Sequence, residues 1–210
     1  REYKKYITDT SKKEGVDLIY LPYLKYMYPK GYNTYVSVLG LTDGLCGVVR
    51  PGHFKGVTTV VNKLFNLIQP DIAYFGQKDC QQALVIKKMA EDLNIPVAIK
   101  ALPIKRERDG LAMSSRNIYL SPGERKDAVL LYQGLKLGRS LISEGNRNAA
   151  LVINNIRKFL KQGKYICLQY ISIVDLKDLK PIKILKGKVL IALAAFVGKT
   201  RLIDNIIVKL

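Results

Sequence analysis

The sequence is short of the residues that build metal centres and disulfide frameworks. It has one histidine, His53, and three widely spaced cysteines, Cys46, Cys80 and Cys167, with no CxxC pair. That set supports neither a zinc site nor a stapled secreted fold, and a reducing cytoplasm suits it best. Long apolar runs are missing too. The longest candidate, Val189 to Val197, is strand-length, well below the roughly 18 residues that a membrane helix requires. No membrane association is expected, and the start does not resemble a secretory signal. Arg1 rather than Met opens the chain, from which a missing amino-terminal part is expected. There is no internal repeat. Acidic residues are scarce: 35 Lys and Arg face 17 Asp and Glu, a formal net charge of +18. Such an excess by itself favours a polyanionic partner. The cations nevertheless stand in ones and twos, without a basic tail or an aromatic platform, so a specific nucleic-acid ligand is not expected.

What is present is an apolar fraction of 48% in 210 residues, enough for a substantial core in one large or two small domains. Residues 2 to 14 are charge-rich, and Val16–Tyr20 after them reads as a buried strand ended by Leu21-Pro22. Pro29-Lys30-Gly31 is a turn signal. Thr34 to Val38 reads as a second strand, and Gly40, Gly44 and Gly47 punctuate a loop. An amphipathic helix then carries Val57, Val60, Val61, Leu64, Phe65 and Ile68 on one face and stops at Gln69-Pro70. A strand ending at Phe75, a helix from about Cys80 to Leu93 with Ala83, Ile86, Ala90 and Leu93 inward, and a strand over 97–102 complete a βαβ unit with parallel strands.

Beyond Pro103 the character changes, and a domain boundary is expected there, giving domains 1–104 and 105–210. Ser121-Pro122-Gly123-Glu124 has the residues of a capped helix start. The helix it opens turns Ala128, Leu131, Leu135 and Ile142 inward. A second helix follows around Val152, Ile156, Phe159 and Leu160, then strands over 170–174, 188–197 and 200–206. The carboxyl half therefore reads as α+β, helices first and then a mostly antiparallel sheet.

Two stretches carry candidate chemistry. Phe75-Gly76-Gln77-Lys78-Asp79-Cys80-Gln81-Gln82 lies where a strand gives way to a helix, the place where open α/β sheets hold ligands. Gly76 permits close backbone approach, Lys78 supplies a mobile charge for phosphate, and Gln82 stands one helical turn beyond it. The same residues admit a structural reading, with Asp79 and Gln82 as a capping pair and Lys78 as a solvated charge. The second stretch, Met113-Ser114-Ser115-Arg116-Asn117, combines hydroxyls and a guanidinium suited to phosphate oxygens, or is a polar linking loop. Together, a lysine turn and a Ser-Ser-Arg loop could close on a triphosphate from two sides, the logic of adenylyl transfer. His53, in a Pro-Gly turn before a helix, is expected to pack or bond within its loop rather than act in catalysis.

Four motifs in order resemble the pantothenate synthetase family, the pantoate–β-alanine ligases. They are Arg50-Pro-Gly-His-Phe-Lys-Gly-Val57, Phe75-Gly-Gln-Lys-Asp79 with Gln81-Gln82, Asp109-Gly-Leu-Ala-Met-Ser-Ser-Arg-Asn117 and Arg201-Leu-Ile-Asp-Asn205. The resemblance runs over essentially the whole chain. It implies an α/β fold: a truncated Rossmann-like nucleotidyltransferase domain with parallel strands and a smaller α+β carboxyl-terminal lid, usually in a homodimer. It implies ATP with Mg2+, pantoate and β-alanine as small-molecule partners, a pantoyl-adenylate intermediate, and no tightly bound cofactor. Gly76, Gln77, Lys78 and Asp79 would line the ATP site with Lys78 on the phosphates. Gln82 would hold pantoate, Lys105 would lie against the nucleotide, and Met113, Ser114, Ser115 and Arg116 would form a mobile phosphate loop. Lys78, Ser114, Ser115 and Arg116 are the catalytic candidates, and no residue is assigned to a metal. Gln77 stands where many relatives carry Glu. The family's Pro-Thr-Met-Gly stretch, its ATP-activating His-x-Gly-His signature and the following Asn and Gln are not in this sequence, and His53 belongs to another motif. The chain alone is therefore expected to be inactive. The alternatives are another adenylating nucleotidyltransferase or a non-catalytic basic nucleic-acid-binding module.

Overall fold

The computed structural model describes residues 2–210; Arg1 lies outside them. The chain divides into one compact unit up to Thr34 and a second over Tyr35–Leu210. The first unit contains helix α1 (Glu2–Lys13), formed by the charge-rich stretch, and the single turn α2 (Leu24–Met27). Its turn after Pro29 forms as expected, with Tyr32 N–H donating to the Pro29 carbonyl at 3.0 Å. The strand expected over Val16–Tyr20 does not form. Val16, Leu18 and Tyr20 are 45%, 81% and 47% exposed. An apolar run becomes a strand only where a neighbour completes its ladder, and this run pairs with no other segment among the described residues.

The second unit begins with another correction. Residues 35–38 are not a paired strand, because side chains of the following helix take their backbone groups. Val36 N–H donates to Thr59 Oγ1 at 3.0 Å, and Thr58 Oγ1 donates to the Val36 carbonyl at 2.6 Å. After the one-turn α3 (Cys46–Val49) comes α4 (His53–Ile68). Its buried residues are Phe54, Thr58, Thr59 and Phe65. The expected valine stripe is only half-buried, and Ile68 is 52% exposed. Gln69 ends α4 in the left-handed region, returning its N–H to the Phe65 carbonyl.

Strands β1 (Ile72–Gly76) and β2 (Ala98–Leu102) pair in parallel, in register from Ile72–Ala98 to Gly76–Leu102, and α5 (Cys80–Asp92) connects them. This is the predicted βαβ unit. Its core is small: Phe65, Ile86 and Met89, with Val57, Val61, Phe75 and Ile99 packed against them. Ala83, Ile86 and Ala90 face inward as the helical period requires. Leu93 does not; it caps the helix and is half-exposed.

The carboxyl half follows the sequence closely. Helix α6 (Pro122–Ser143) starts with the full capping box between Ser121 and Glu124, and α7 (Ala149–Leu160) is capped by Asn148. Strands β3 (Ile166–Asp175), β4 (Lys188–Val197) and β5 (Thr200–Lys209) form an antiparallel sheet in that order. Leu131, Leu135, Val152 and Ile156 of the helices meet Ile173, Ile191 and Leu193 in the largest core. On the other face Val174, Leu190 and Ala192 meet Cys80, Leu84, Leu41 and Leu45. Cover on both faces explains why β4 reads as an uninterrupted apolar run rather than an alternating one.

Candidate active site

The turn between β1 and α5 is built by Gly76 and a short 3-10 segment, Gln77–Asp79. A Cβ on Gly76 would meet nothing within 4 Å and its φ is −77°. Glycine here is not demanded by the backbone, and the space beside it is free for a ligand. Asp79 occupies the cap position of α5 but makes no side-chain capping bond. The capping-box reading of Asp79 and Gln82 is therefore not what forms. Asp79 instead points its carboxylate toward Lys78, 3.9 Å from Nζ.

This turn forms one wall of a cavity of about 230 Å³ that also receives Gln82, Ser114 and Arg116. Of the residues expected at the site, Lys78, Asp79, Gln82, Ser114 and Arg116 line this cavity; Gly76, Gln77, Lys105, Met113 and Ser115 do not. Gly76 and Gln77 are in the turn itself. Met113 and Ser115 flank Ser114 in the loop and are exposed. Lys105 is exposed, and its carbonyl accepts from Met113 N–H at 2.9 Å. The Ser-Ser-Arg loop is a short 3-10 turn, Ser115–Tyr119, capped by Ser114, whose hydroxyl accepts from Arg116 N–H.

Several lining residues were not singled out for a role. Arg50 and Arg201 bring two more guanidiniums to the wall. Both lie in motifs that carry the family resemblance, which was the available signal. Arg201 is aimed by Gln169, which accepts from its Nε at 2.7 Å and sits at the irregularity in β3. Arg50 Nη1 lies 2.9 Å from His53 Nε2. Burial and then the Arg50 charge lower the His53 pKa, so the ring is neutral near pH 7 and accepts from Arg50. The expected loop hydrogen bond is present. Cys46 Sγ lies 3.2 Å from the Tyr170 hydroxyl, and burial above all keeps that phenol protonated. Burial also pushes the Cys80 thiol up to about 11, so it is no nucleophile near neutrality. Three arginines and a lysine, against the carboxylates of Asp79 and of an Asp204 already paired with Arg106, give the cavity a positive field suited to a polyanion.

Two buried amides hold the walls. Gln81 receives Cys46 N–H and donates to the Leu41 and Gly44 carbonyls, fastening the loop that precedes α3. Gly47 in α3 cannot be replaced quietly, since a Cβ there would come within 1.7 Å of the carbonyl oxygen of Thr42 in that loop. Asn205 of β5 donates to the carbonyls of Gln77 and Lys78. Beside it Asp204 accepts from the two terminal guanidinium nitrogens of Arg106, Nη1 and Nη2, at 2.6 and 2.9 Å.

The sequence matches the family model described as pantoate-beta-alanine ligase over residues 3–207. Pantothenate synthetase of Heliobacterium modesticaldum is 52% identical over 199 residues, covering 95% of this chain and 71% of that protein. Pantothenate synthetase of Moorella thermoacetica is 54% identical over 195 residues, covering 93% and 69%. The chain thus spans about seven-tenths of the length of these relatives. Among solved structures, pantothenate synthetase of Thermus thermophilus superposes with a TM-score of 0.92 at 41% identity, covering 96% of this chain and 73% of that one. Pantoate-beta-alanine ligase of Francisella tularensis, complexed with beta-gamma ATP and beta-alanine, superposes with a TM-score of 0.72 at 30% identity, covering 96% and 69%. The chain belongs to the pantoate–β-alanine ligase family, a family of carbon–nitrogen ligases.

Proposed function

We propose that this chain carries the phosphate-holding and pantoate-holding part of a site that condenses pantoate with β-alanine at the expense of ATP. The observation that carries the reading is the convergence of Lys78, Asp79, Gln82, Ser114 and Arg116, from two distant stretches of sequence, on one positively lined cavity. In the first step a carboxylate oxygen of pantoate bonds to the α-phosphorus of ATP, and pyrophosphate leaves with the electron pair of the broken P–O bond. In the second the amine of β-alanine attacks the acyl carbon of the pantoyl adenylate, AMP departs, and the amine proton passes to solvent. Negative charge grows on phosphate oxygens in the first step, so fixed cations that need no reorganisation lower its barrier.

Lys78 and Arg116 supply such cations, with Ser114 and Ser115 donating hydroxyl hydrogens as the loop closes. Gly76, Gln77 and Asp79 border the nucleotide, Lys105 and Met113 complete its surroundings, and Gln82 binds pantoate through its carboxamide. Magnesium belongs to the proposal as the ion of the triphosphate. Among the described residues no three His, Cys, Asp or Glu converge. Asp79 is the cavity carboxylate left to reach that ion, since Asp204 is engaged by Arg106.

The domain division at 104/105 belongs to the same proposal and is supported by the two sheets, one wholly before and one wholly after it. So do homodimeric assembly and residence in the cytoplasm, where ATP is available. Among the described residues no helix is long and apolar enough to cross a membrane. Lacking His-x-Gly-His, the 210 residues on their own bind nucleotide but turn over little. The test is pyrophosphate release by the chain alone and by the chain joined to a family segment bearing His-x-Gly-His. Release is expected only from the joined protein and only with pantoate among the acids supplied. Robust release from the chain alone contradicts the incompleteness, and equal release with unrelated acids contradicts the choice of substrate.

A further inference from the structure

The motif Arg201–Asn205 has no place in the chemistry above apart from Arg201, and its last residue makes contacts that surface packing does not explain. Asn205 is 4% exposed. Its Nδ2 donates to the Gln77 carbonyl at 2.9 Å and to the Lys78 carbonyl at 3.0 Å, and its Oδ1 accepts from the Gln77 side-chain Nε2 at 3.4 Å. One carboxamide on β5 thereby holds both peptide units of the lysine turn, across 127 and 128 residues of sequence.

The carboxamide is itself held in place. Asn205 N–H donates to Asp204 Oδ1 at 2.7 Å. Asp204 is gripped by Arg106, which lies beside the expected domain boundary and stacks its guanidinium 3.5 Å from the centroid of the Tyr132 ring. The path runs from Tyr132 on α6 through Arg106 and Asp204 to Asn205 and ends on the backbone that carries Lys78. Lys78 has a flexible side chain on a 3-10 turn, and the two-stranded sheet behind that turn is largely exposed. Such a turn keeps one geometry only if its carbonyls are tied down.

We infer that Asn205, which also borders the cavity, is a positioning residue: it fixes the Gln77–Lys78 backbone so that the Lys78 ammonium is held at the cavity. The consequence for nucleotide binding rests on the proposed function; the consequence for the turn does not. A side chain of similar size without a donor, Asn205→Leu, frees both carbonyls. Asn205→Asp also removes the donor and sets a carboxylate against them.

The experiment is hydrogen exchange on the full chain without ligand, comparing the amides of residues 78–81 with those of the β4–β5 pairs, followed by titration with ATP–Mg2+. In both variants residues 78–81 are expected to exchange about tenfold faster while the β4–β5 amides keep their protection, and ATP affinity is expected to fall by a similar factor. Unchanged exchange at residues 78–81, or acceleration spread evenly over both regions in both variants, overturns the inference. Faster exchange at the turn in a protein whose wild type ignores ATP upholds the positioning role and removes the nucleotide reading.

Discussion

The two sheets of the molecule are built to different standards. The β3–β5 sheet has three ten-residue strands with helices on one face and α5 with the 41–45 loop on the other, and eight of the ten residues of β4 are buried. The β1–β2 sheet has two five-residue strands, neither with a fully buried residue, and Ile72, Tyr74 and Leu102 are 39%, 57% and 49% exposed. The lesson is that the lysine turn rises from the weaker platform and is tied to the stronger one. A turn that presents a side chain to a cavity needs rigid support, and the support here comes from β5 through Asn205 as much as from the strand that leads into it.

That contrast predicts unequal costs of mutation. The largest effect belongs to the strong sheet: Leu193→Ala in β4, a fully buried side chain, is expected to cost about 2–5 kcal/mol by denaturant unfolding. Tyr74→Ala on the exposed face of β1 is expected to cost well under about 1 kcal/mol. Equal costs would erase the distinction between the sheets.

Next comes Arg106→Ala, which strands the Asp204 carboxylate in the interior and is expected to cost about 3 kcal/mol near neutral pH. Burial already raises the Asp204 pKa even with Arg106 opposing it, and without Arg106 it must rise further. A carboxyl whose folded pKa lies above its unfolded one favours folding more as pH falls. The penalty of Arg106→Ala is therefore expected to shrink between pH 7 and pH 5, which parallel unfolding curves of the two proteins will show. A penalty that stays constant or grows over that range contradicts the assignment.

Smaller again is Ser121→Ala, which removes half of the capping box of α6 and is expected to cost about 1 kcal/mol. The smallest effect is the acid response of the surface ion pairs. The Glu107 pKa is lowered by Arg125 and then Asn117; for Asp109 burial is the largest single influence and pulls upward, but the Arg125 and Leu111 bonds together outweigh it and the pKa is lowered. Both carboxyls have depressed folded pKa values, so their contribution is present above the ordinary carboxylate range and fades as pH drops through the lowered values. Being exposed, they are expected to move the thermal midpoint only slightly, and Arg125→Ala to flatten that slope.

How much of this was legible in the sequence follows the same division. In the carboxyl half, pattern and structure agree because the determinants are local. Ser121 and Glu124 cap across three residues, Ala128, Leu131 and Leu135 fall on one helical face, and β4 is apolar because both its faces are covered. In the amino half, Val16–Tyr20 and residues 34–38 have strand composition without a strand partner, and composition cannot reveal whether a neighbour exists to complete the ladder. Thr58 and Thr59 look like breaks in an apolar stripe, yet they are buried because they serve Val36. Lys78, Gln82 and Arg116, which line the cavity, lie within readable motifs. Asn205 and Gln81 could be seen only as motif members. Their work is done on carbonyls and amides 35 to 128 residues away, a relation that local periodicity does not encode.

The central claim is that the lysine turn and the Ser-Ser-Arg loop form one phosphate-holding site. The measurement that tests it most directly is a calorimetric titration of the full chain with ATP–Mg2+, for the wild type, Lys78→Ala, Arg116→Ala and the double variant. Loss of a charge-assisted contact worth about 1.5–3 kcal/mol corresponds to roughly a tenfold or greater loss of affinity. Each single variant is expected to weaken binding by at least that much, and the double variant to depart from the sum of the two because both cations act on one polyphosphate. Wild-type binding that neither substitution alters would contradict the account.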